Sequence, residues 1–297
     1  MYLITGVTGN TGRVVAEQLL SKGEKVRVLV RDAAKGEPWK ARGAEVAVGS
    51  LEDAKALAAA LTGVKGAYLI IPPDMQATDA LARGAGFVAA FKAALEQQPV
   101  AHVVYLSSIA AHLPSGTGPV VMHFHGEAEL RQLTTPVTFV RASYFMENLL
   151  AFTTPITTAG VLPALSDPER ATDMVATVDI GRAAADSLLG PTPNQHEVIE
   201  LSGPTPYTLQ DAAAAFGATL QREVTIARVP AEAVTETLVQ AGIGANMAGL
   251  YSEMSAALSA GVFQFEAGTA KRVHGTTTLA TFIESVLGSH APQKQST

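Results

Sequence analysis

Apolar and polar positions along this chain fall into short blocks whose period keeps changing. Tyr2 to Thr5 is a brief apolar run. It meets a Gly-rich turn, Gly6 to Gly12, and then Val14, Val15, Leu19 and Leu20 at helical spacing. Gly23 closes that helix, and Lys25 to Val30 is rich in β-branched residues. Strand, turn, helix and strand within about 30 residues make one βαβ unit. The rhythm repeats: Glu45–Val48, Ala67–Ile71, His102–Leu106 and Val137–Val140 read as strands. Leu51–Leu61, the stretch from 77 to 95 and Met122–Leu133 read as helices, the first opened by Ser50 as N-cap.

Repeated βα units of this size predict an α/β fold: a Rossmann-type, doubly wound parallel sheet with helices on both faces. Beyond Val140 the pattern loosens. Residues 142–170 carry Pro155, Pro163 and Pro168 and read as helix and loop; Val178–Leu189 reads as a helix. Val198–Ser202 is a further strand able to join the first sheet. From Thr208 on the chain reads as mostly helical, except for the alternating Glu223–Val229. We expect a nucleotide-binding domain over 1–141, a smaller and mostly helical pocket-forming domain over 142–287 interleaved with it, and a polar tail over 288–297.

Composition narrows the function classes. Hydrophobic residues make up 47% and charged residues 16% of 297, enough for a full core. No window of about 18–20 residues is continuously apolar, so no membrane span is expected. Net charge is −6, which argues against a general affinity for nucleic acid. There is no cysteine, which removes disulfides, thiolate metal sites and thiol nucleophiles. The first ten residues lack the basic and apolar regions of a secretory signal, so the expected address is cytoplasmic.

The turn Gly6-Val7-Thr8-Gly9-Asn10-Thr11-Gly12 sits where a strand hands over to a helix. One glycine permits the tight turn, one lets backbone approach a pyrophosphate, and one lets helix and strand pack closely. The helix N-terminus adds free N–H groups and partial positive charge. Arg31 and Asp32 end the second strand about 20 residues on, where an acid reads the ribose of NAD or an arginine reads the 2′-phosphate of NADP. With Arg31 first and Lys35 close by, the pattern favours NADPH, with NADH as the alternative. Gly49, Ser50 and Leu51 follow the third strand, where the adenine ring would lie. Ile71, Pro72 and Pro73 end the fourth, on the carboxyl edge where open α/β folds bind ligands. Strand termination explains the prolines equally well. Ser107 and Ser108 end the fifth strand; one reading has a hydroxyl donate to a substrate oxygen, the other has a turn or cap serine. The histidines show no metal-ligand spacing, and no metal is expected.

Together with these features, His123-Phe124-His125-Gly126-Glu127, Phe145-Met146-Glu147-Asn148 and Asp179-Ile180-Gly181-Arg182 resemble an NmrA-like atypical short-chain dehydrogenase/reductase. The resemblance spans about Met1 to Leu287 and implies NADPH-dependent reduction of quinones or triphenylmethane dyes, or redox sensing. The wider superfamily carries Tyr and Lys four residues apart on the helix after the serine. Here His123 stands at the Tyr position and Glu127 at the Lys position, beside the cofactor. Positions i and i+4 share a helix face, so both can look into the cleft. A carboxylate there would raise the imidazole's pKa and make His123 a proton donor near neutral pH; a surface His–Glu pair is the alternative. His125 diverges from that face and reads as surface. Tyr144 is a second candidate donor. Phe145 and Asn148, with Pro73, are candidates for contact with substrate, although core packing also accounts for Phe145.

A site without the Tyr–Lys pair suits acceptors whose reduced anion is self-stabilised. The expectation is an NADPH-dependent oxidoreductase acting on a quinone-like or other electron-poor small molecule, as monomer or homodimer. The alternative is an NADP(H)-binding redox sensor with little catalysis. A sugar or isoflavone-type reductase or epimerase fits less well, because the Tyr and Lys are absent.

Overall fold

Strand residues that alternate between two buried faces fix the architecture. The computed structural model describes residues 1–268 and 271–288. Of the tail expected over 288–297, all but Gly288 lies outside the described residues. The first six strands are β1 (Tyr2–Ile4), β2 (Val26–Val30), β3 (Glu45–Val48), β4 (Gly66–Leu69), β5 (His102–Ser108) and β6 (Val137–Ala142). Further along come β7 (Tyr144–Phe145), β8 (Val161–Ala164), β9 (Thr172–Val175), β10 (Glu197–Ser202), β11 (Pro206–Tyr207), β12 (Thr225–Arg228) and β13 (Lys271–His274). Eight of them form one parallel sheet in the order β13-β10-β6-β5-β4-β1-β2-β3. The order reverses between β1 and β4, which opens a crevice at their carboxyl ends.

Helices cover both faces. They are α1 (Asn10–Ser21), α2 (Glu37–Ala41), α3 (Ala54–Leu61), α4 (Ala80–Gln97), α5 (Val121–Leu130), α6 (Thr153–Ala159), α7 (Thr177–Leu189), α8 (Leu209–Leu220), α9 (Val234–Gln240), α10 (Ala245–Ala260) and α11 (Leu279–Leu287). Ile4, Val28, Val104 and Val140 pack with Val15 and Leu19 of α1 and Ile180 and Ala184 of α7. Leu3, Leu29, Tyr105 and Phe139 point to the other face, against Leu57, Phe91 and Leu130 of α3, α4 and α5. Both faces are dry, as a parallel sheet requires. A third core joins α8 and α11 to Met146, Leu162 and Met174.

Three expectations need correction. The helix read as starting at Leu51 starts at Ala54, and its N-cap is Asp53, whose carboxylate accepts from the N–H groups of Lys55 and Ala56. Ser50 instead accepts from the Glu52 N–H in the preceding turn. The region after Thr208 is not helical apart from one strand: β13 adds a second, pairing with β10 at the sheet edge. The loose stretch after Val140 contains short strands as well as helix, with β7 and β11 flanking β9 and β8 beside β12. The strand at 198–202 does join the main sheet, beside β6. Among the described residues no helix is long and apolar enough to cross a membrane.

Candidate active site

The crevice between β1 and β4 opens into a cavity of about 500 Å³. Its floor is the glycine turn. Gly6 has φ +66°, and a Cβ there would lie 2.1 Å from Ile70 Cδ1. A Cβ on Gly12 would sit 2.4 Å from the Thr5 carbonyl oxygen, so α1 can rest on β1 only with glycine at this position. Gly9 is the N-cap of α1 and supplies no capping side chain, which leaves the N–H groups of the first turn open toward the cavity. Thr11 is buried, and its hydroxyl accepts from Tyr68 Oη at 3.0 Å. Thr5 Oγ1 donates to the Tyr68 carbonyl and accepts from the Ile70 N–H, tying β1 to β4 below the turn.

Arg31 and Lys35 are exposed beyond the end of β2. Neither has an acidic partner among the described residues. Asp32 is occupied elsewhere, its carboxylate accepting from the Ala34 N–H at 2.9 Å. Two exposed cations without an acidic partner among the described residues thus stand beyond the carboxyl end of β2. Gly49, Ser50 and Leu51 follow β3 on the same edge, where Gly49 donates its N–H to Val30.

The structure brings Gly6, Gly9, Asn10, Thr11, Ile71, Pro72, Pro73, Ser107, Ser108, His123, Tyr144, Phe145 and Asn148 around one cavity. Thr8, Gly12, Arg31, Lys35, Gly49, Ser50, Leu51 and Glu127 do not line it. For Glu127 the reason is electrostatic. Arg141 projects from β6 into the sheet–helix interface, where it is 3% exposed. Burial works against its charge, but Glu127 and Glu266 hold it above the usual guanidinium range. Glu127 receives two of its N–H groups, at 2.8 and 2.7 Å, and is itself buried. An uncompensated buried guanidinium would be very costly, so the carboxylate turns to the arginine and not to the cleft. Glu127 also accepts the Ser107 hydroxyl proton at 2.6 Å. Ser107, one of the two serines for which a donor role and a turn role stood open, therefore faces the cavity as an acceptor, its proton committed to Glu127.

His123 does face the cavity. Its Nδ1 pairs with the buried Tyr105 hydroxyl at 3.0 Å. The expectation of a raised imidazole pKa is overturned. Burial lowers it to about 4, outweighing the opposing pull of Glu127. Burial likewise holds the Tyr105 phenol well above its ordinary range. A phenol that keeps its proton and donates it to Nδ1 leaves the ring proton on Nε2. His123 is then a neutral hydrogen-bonding group at pH 7, not a charged acid. Tyr144 is pushed up to about 12, chiefly by burial.

Residues that sequence reasoning missed complete the wall. Met247, Tyr251 and Met254 come from one face of α10, with Phe263 beyond it and Met75 opposite. Their i, i+4, i+7 spacing was the readable signal. Glu147 also lines the cavity; its carboxylate accepts from the Thr177 N–H and hydroxyl and caps α7. A second chamber of about 270 Å³ adjoins the first and shares Met75, Tyr144, Glu147, Asn148, Tyr251 and Met254 with it.

A family model described as the NmrA-like family matches residues 2–283. The chain belongs to the NmrA-like family. Among similar family members, a (4-alkanoyl-5-oxo-2,5-dihydrofuran-3-yl)methyl phosphate reductase of Streptomyces griseus subsp. griseus is 31% identical over 246 residues, 80% of each chain. An NAD(P)H azoreductase of Xenophilus azovorans is 27% identical over 256 residues, 86% of each. The NADPH complex of an NADPH-dependent quinone oxidoreductase from Escherichia coli superposes with a TM-score of 0.79 at 25% identity, covering 97% of this chain and all of that one. The NmrA-like fold is thus shared along nearly the whole length, including the helices that roof the cavity.

Proposed function

We propose that this protein is an NADPH-dependent reductase of quinone-like or other electron-poor small molecules. The observation that carries this reading is the cavity itself. A glycine turn and an open helix N-terminus face one end of it, and a largely apolar wall without a Tyr–Lys pair faces the other. The names of the azoreductase and quinone oxidoreductase relatives support the same acceptor class.

The residues present fit the cofactor. Gly6, Gly9 and the N-terminus of α1 would hold the pyrophosphate, and Arg31 with Lys35 the 2′-phosphate. Bound NADPH supplies a hydride, which together with one proton takes a quinone to its hydroquinone. Ser107, fixed by Glu127, offers its lone pairs to an amide or hydroxyl at the inner end. His123 Nε2–H can donate to an acceptor oxygen without losing its proton. Tyr144, Phe145 and Tyr251 hold a flat ring and exclude water from it. No strong acid is needed, because a hydroquinone anion is stabilised by its own ring and takes its proton from solvent.

The test is oxidation of NADPH, followed at 340 nm, with a simple benzoquinone as acceptor. Turnover is expected, and His123→Ala should slow it by no more than about tenfold, the loss of one neutral hydrogen bond. Absence of turnover with any quinone, dye or carbonyl would overturn the reading. Tight NADPH binding in that case would point to a sensor.

A further inference from the structure

No residue of the glycine turn lines the second chamber. Beyond the partition it shares with the first, it is lined mainly by apolar side chains, among them Phe152, Leu209, Leu238 and Leu258, with Ser166, Asp167, Thr172 and Ser255 as polar positions and Arg170 as its one cation. Two arginines border the combined space. Arg83, in the first chamber, is ion-paired with Asp74 and Glu52. Arg170 has no carboxylate within ion-pair distance among the described residues. Its Nε donates to the Ser259 carbonyl at 2.6 Å, which anchors the guanidinium against the end of α10. Its other N–H groups have no partner among the described residues. The acids nearby are already matched. Asp167 accepts from the Glu169 N–H and lies 3.8 Å from Arg228, and Glu147 caps α7.

An apolar passage bordered by a solvent-exposed guanidinium, anchored on one side and without an ion pair among the described residues, fits an amphiphile. We propose that the second chamber takes the tail of the acceptor, and that Arg170 reads a terminal anionic group on it, a carboxylate or a phosphate. The acceptor's reducible ring would sit between Tyr144 and the glycine turn, and its apolar linker would pass Tyr144 and Tyr251. This assignment rests on the reductase reading for the position of the ring. The chamber's preference for an anionic amphiphile can be measured without turnover.

The experiment compares three naphthoquinones that share one ring: without a tail, with a pentyl tail, and with a 5-carboxypentyl tail. The carboxylate should lower KM at least about tenfold relative to the pentyl compound, the scale of one charge-assisted pair. Arg170→Ala should erase that difference and leave the tail-less quinone within twofold. Arg170→Lys should keep part of it. Leu238→Trp, which fills the chamber, should raise KM for both tailed quinones only. An unchanged preference in Arg170→Ala, or none in the wild-type protein, overturns the proposal. Calorimetry of the NADPH-loaded protein with 6-phenylhexanoate and 6-phenylhexanol, neither of them reducible, separates the two claims. Tighter binding of the carboxylate, lost in Arg170→Ala, upholds the chamber even if no quinone is turned over. Equal binding of the two compounds by the wild-type protein overturns it.

Discussion

Replacing Arg141 by methionine removes the guanidinium at the centre of a buried ion-pair cluster. The guanidinium is 3% exposed and is held by Glu127 from α5 and by Glu266 from the chain beyond α10, with Glu200 of β10 at 3.9 Å. Methionine fills much of the volume but takes from the nearly inaccessible Glu127 its two arginine bonds at 2.8 and 2.7 Å, leaving it Arg131 at 3.2 Å, and leaves Glu200 only Arg272 at 3.9 Å. Removing one partner of a buried pair costs about 3–5 kcal/mol. Because the guanidinium is held above its ordinary range, it stays charged at every working pH, and a loss should be seen throughout pH 6 to 9. Urea unfolding followed by circular dichroism measures it as a shift in midpoint at constant slope. The double variant Arg141→Met/Glu127→Gln tests the cause. It should recover about 2 kcal/mol or more over Arg141→Met, because the orphaned charge is gone. If the two single effects simply add within about 0.5 kcal/mol, Glu127 is not the partner that makes Arg141 necessary.

Three further outcomes are expected. Arg31→Ala should raise KM for NADPH at least about tenfold while leaving KM for NADH within twofold, since it removes a phosphate contact only; equal changes would refute the assignment. Gly12→Ala places a Cβ 2.4 Å from the Thr5 carbonyl oxygen and should weaken NADPH binding at least about tenfold in a fluorescence titration, because α1 must lift off β1. His123 is held neutral down to about pH 4, whereas the unfolded chain protonates it near 6.5. The unfolded state therefore binds more protons in that window, and stability falls as pH drops from about 6.5 to 4. His102, also lowered by burial, adds to the fall. His123→Asn should lose less stability across that interval, measured by thermal melts, and an unchanged pH slope would refute the cause.

The βα rhythm was legible because each buried strand is a short apolar run and each covering helix has an apolar stripe. β13 was not legible. Lys-Arg-Val-His lies at the sheet edge with only Val273 half-buried, so it carries no apolar run to read. The glycine turn announced itself through local spacing, since its function is local. The role of Glu127 was hidden, because its partner Arg141 is a strand residue that sequence alone places on neither face with its charge. The environment of His123 was misread for a related cause. A neighbouring carboxylate can be counted from the sequence, but the burial that outweighs it cannot. The second chamber draws on residues from 75 to 258, and apart from Glu147 and Asn148 no motif marks it.

The separation along the chain between Arg141 and the carboxylates around it sets an order of assembly. Glu127 precedes the arginine by 14 residues, so that pair can form as soon as β6 is made. Glu266 comes 125 residues later, which at about 5–20 residues per second of synthesis is roughly 6–25 s. For about the first half of that interval the β6 edge waits for β10, and until its last part the nascent protein has its nucleotide cradle but not the roof over it. The first half to leave the ribosome is the half that would bind cofactor, and the segment bearing Phe263 and Glu266 is among the last to arrive. A chaperone or a protease meeting this protein during synthesis would find the acceptor pocket open and the glycine turn already formed.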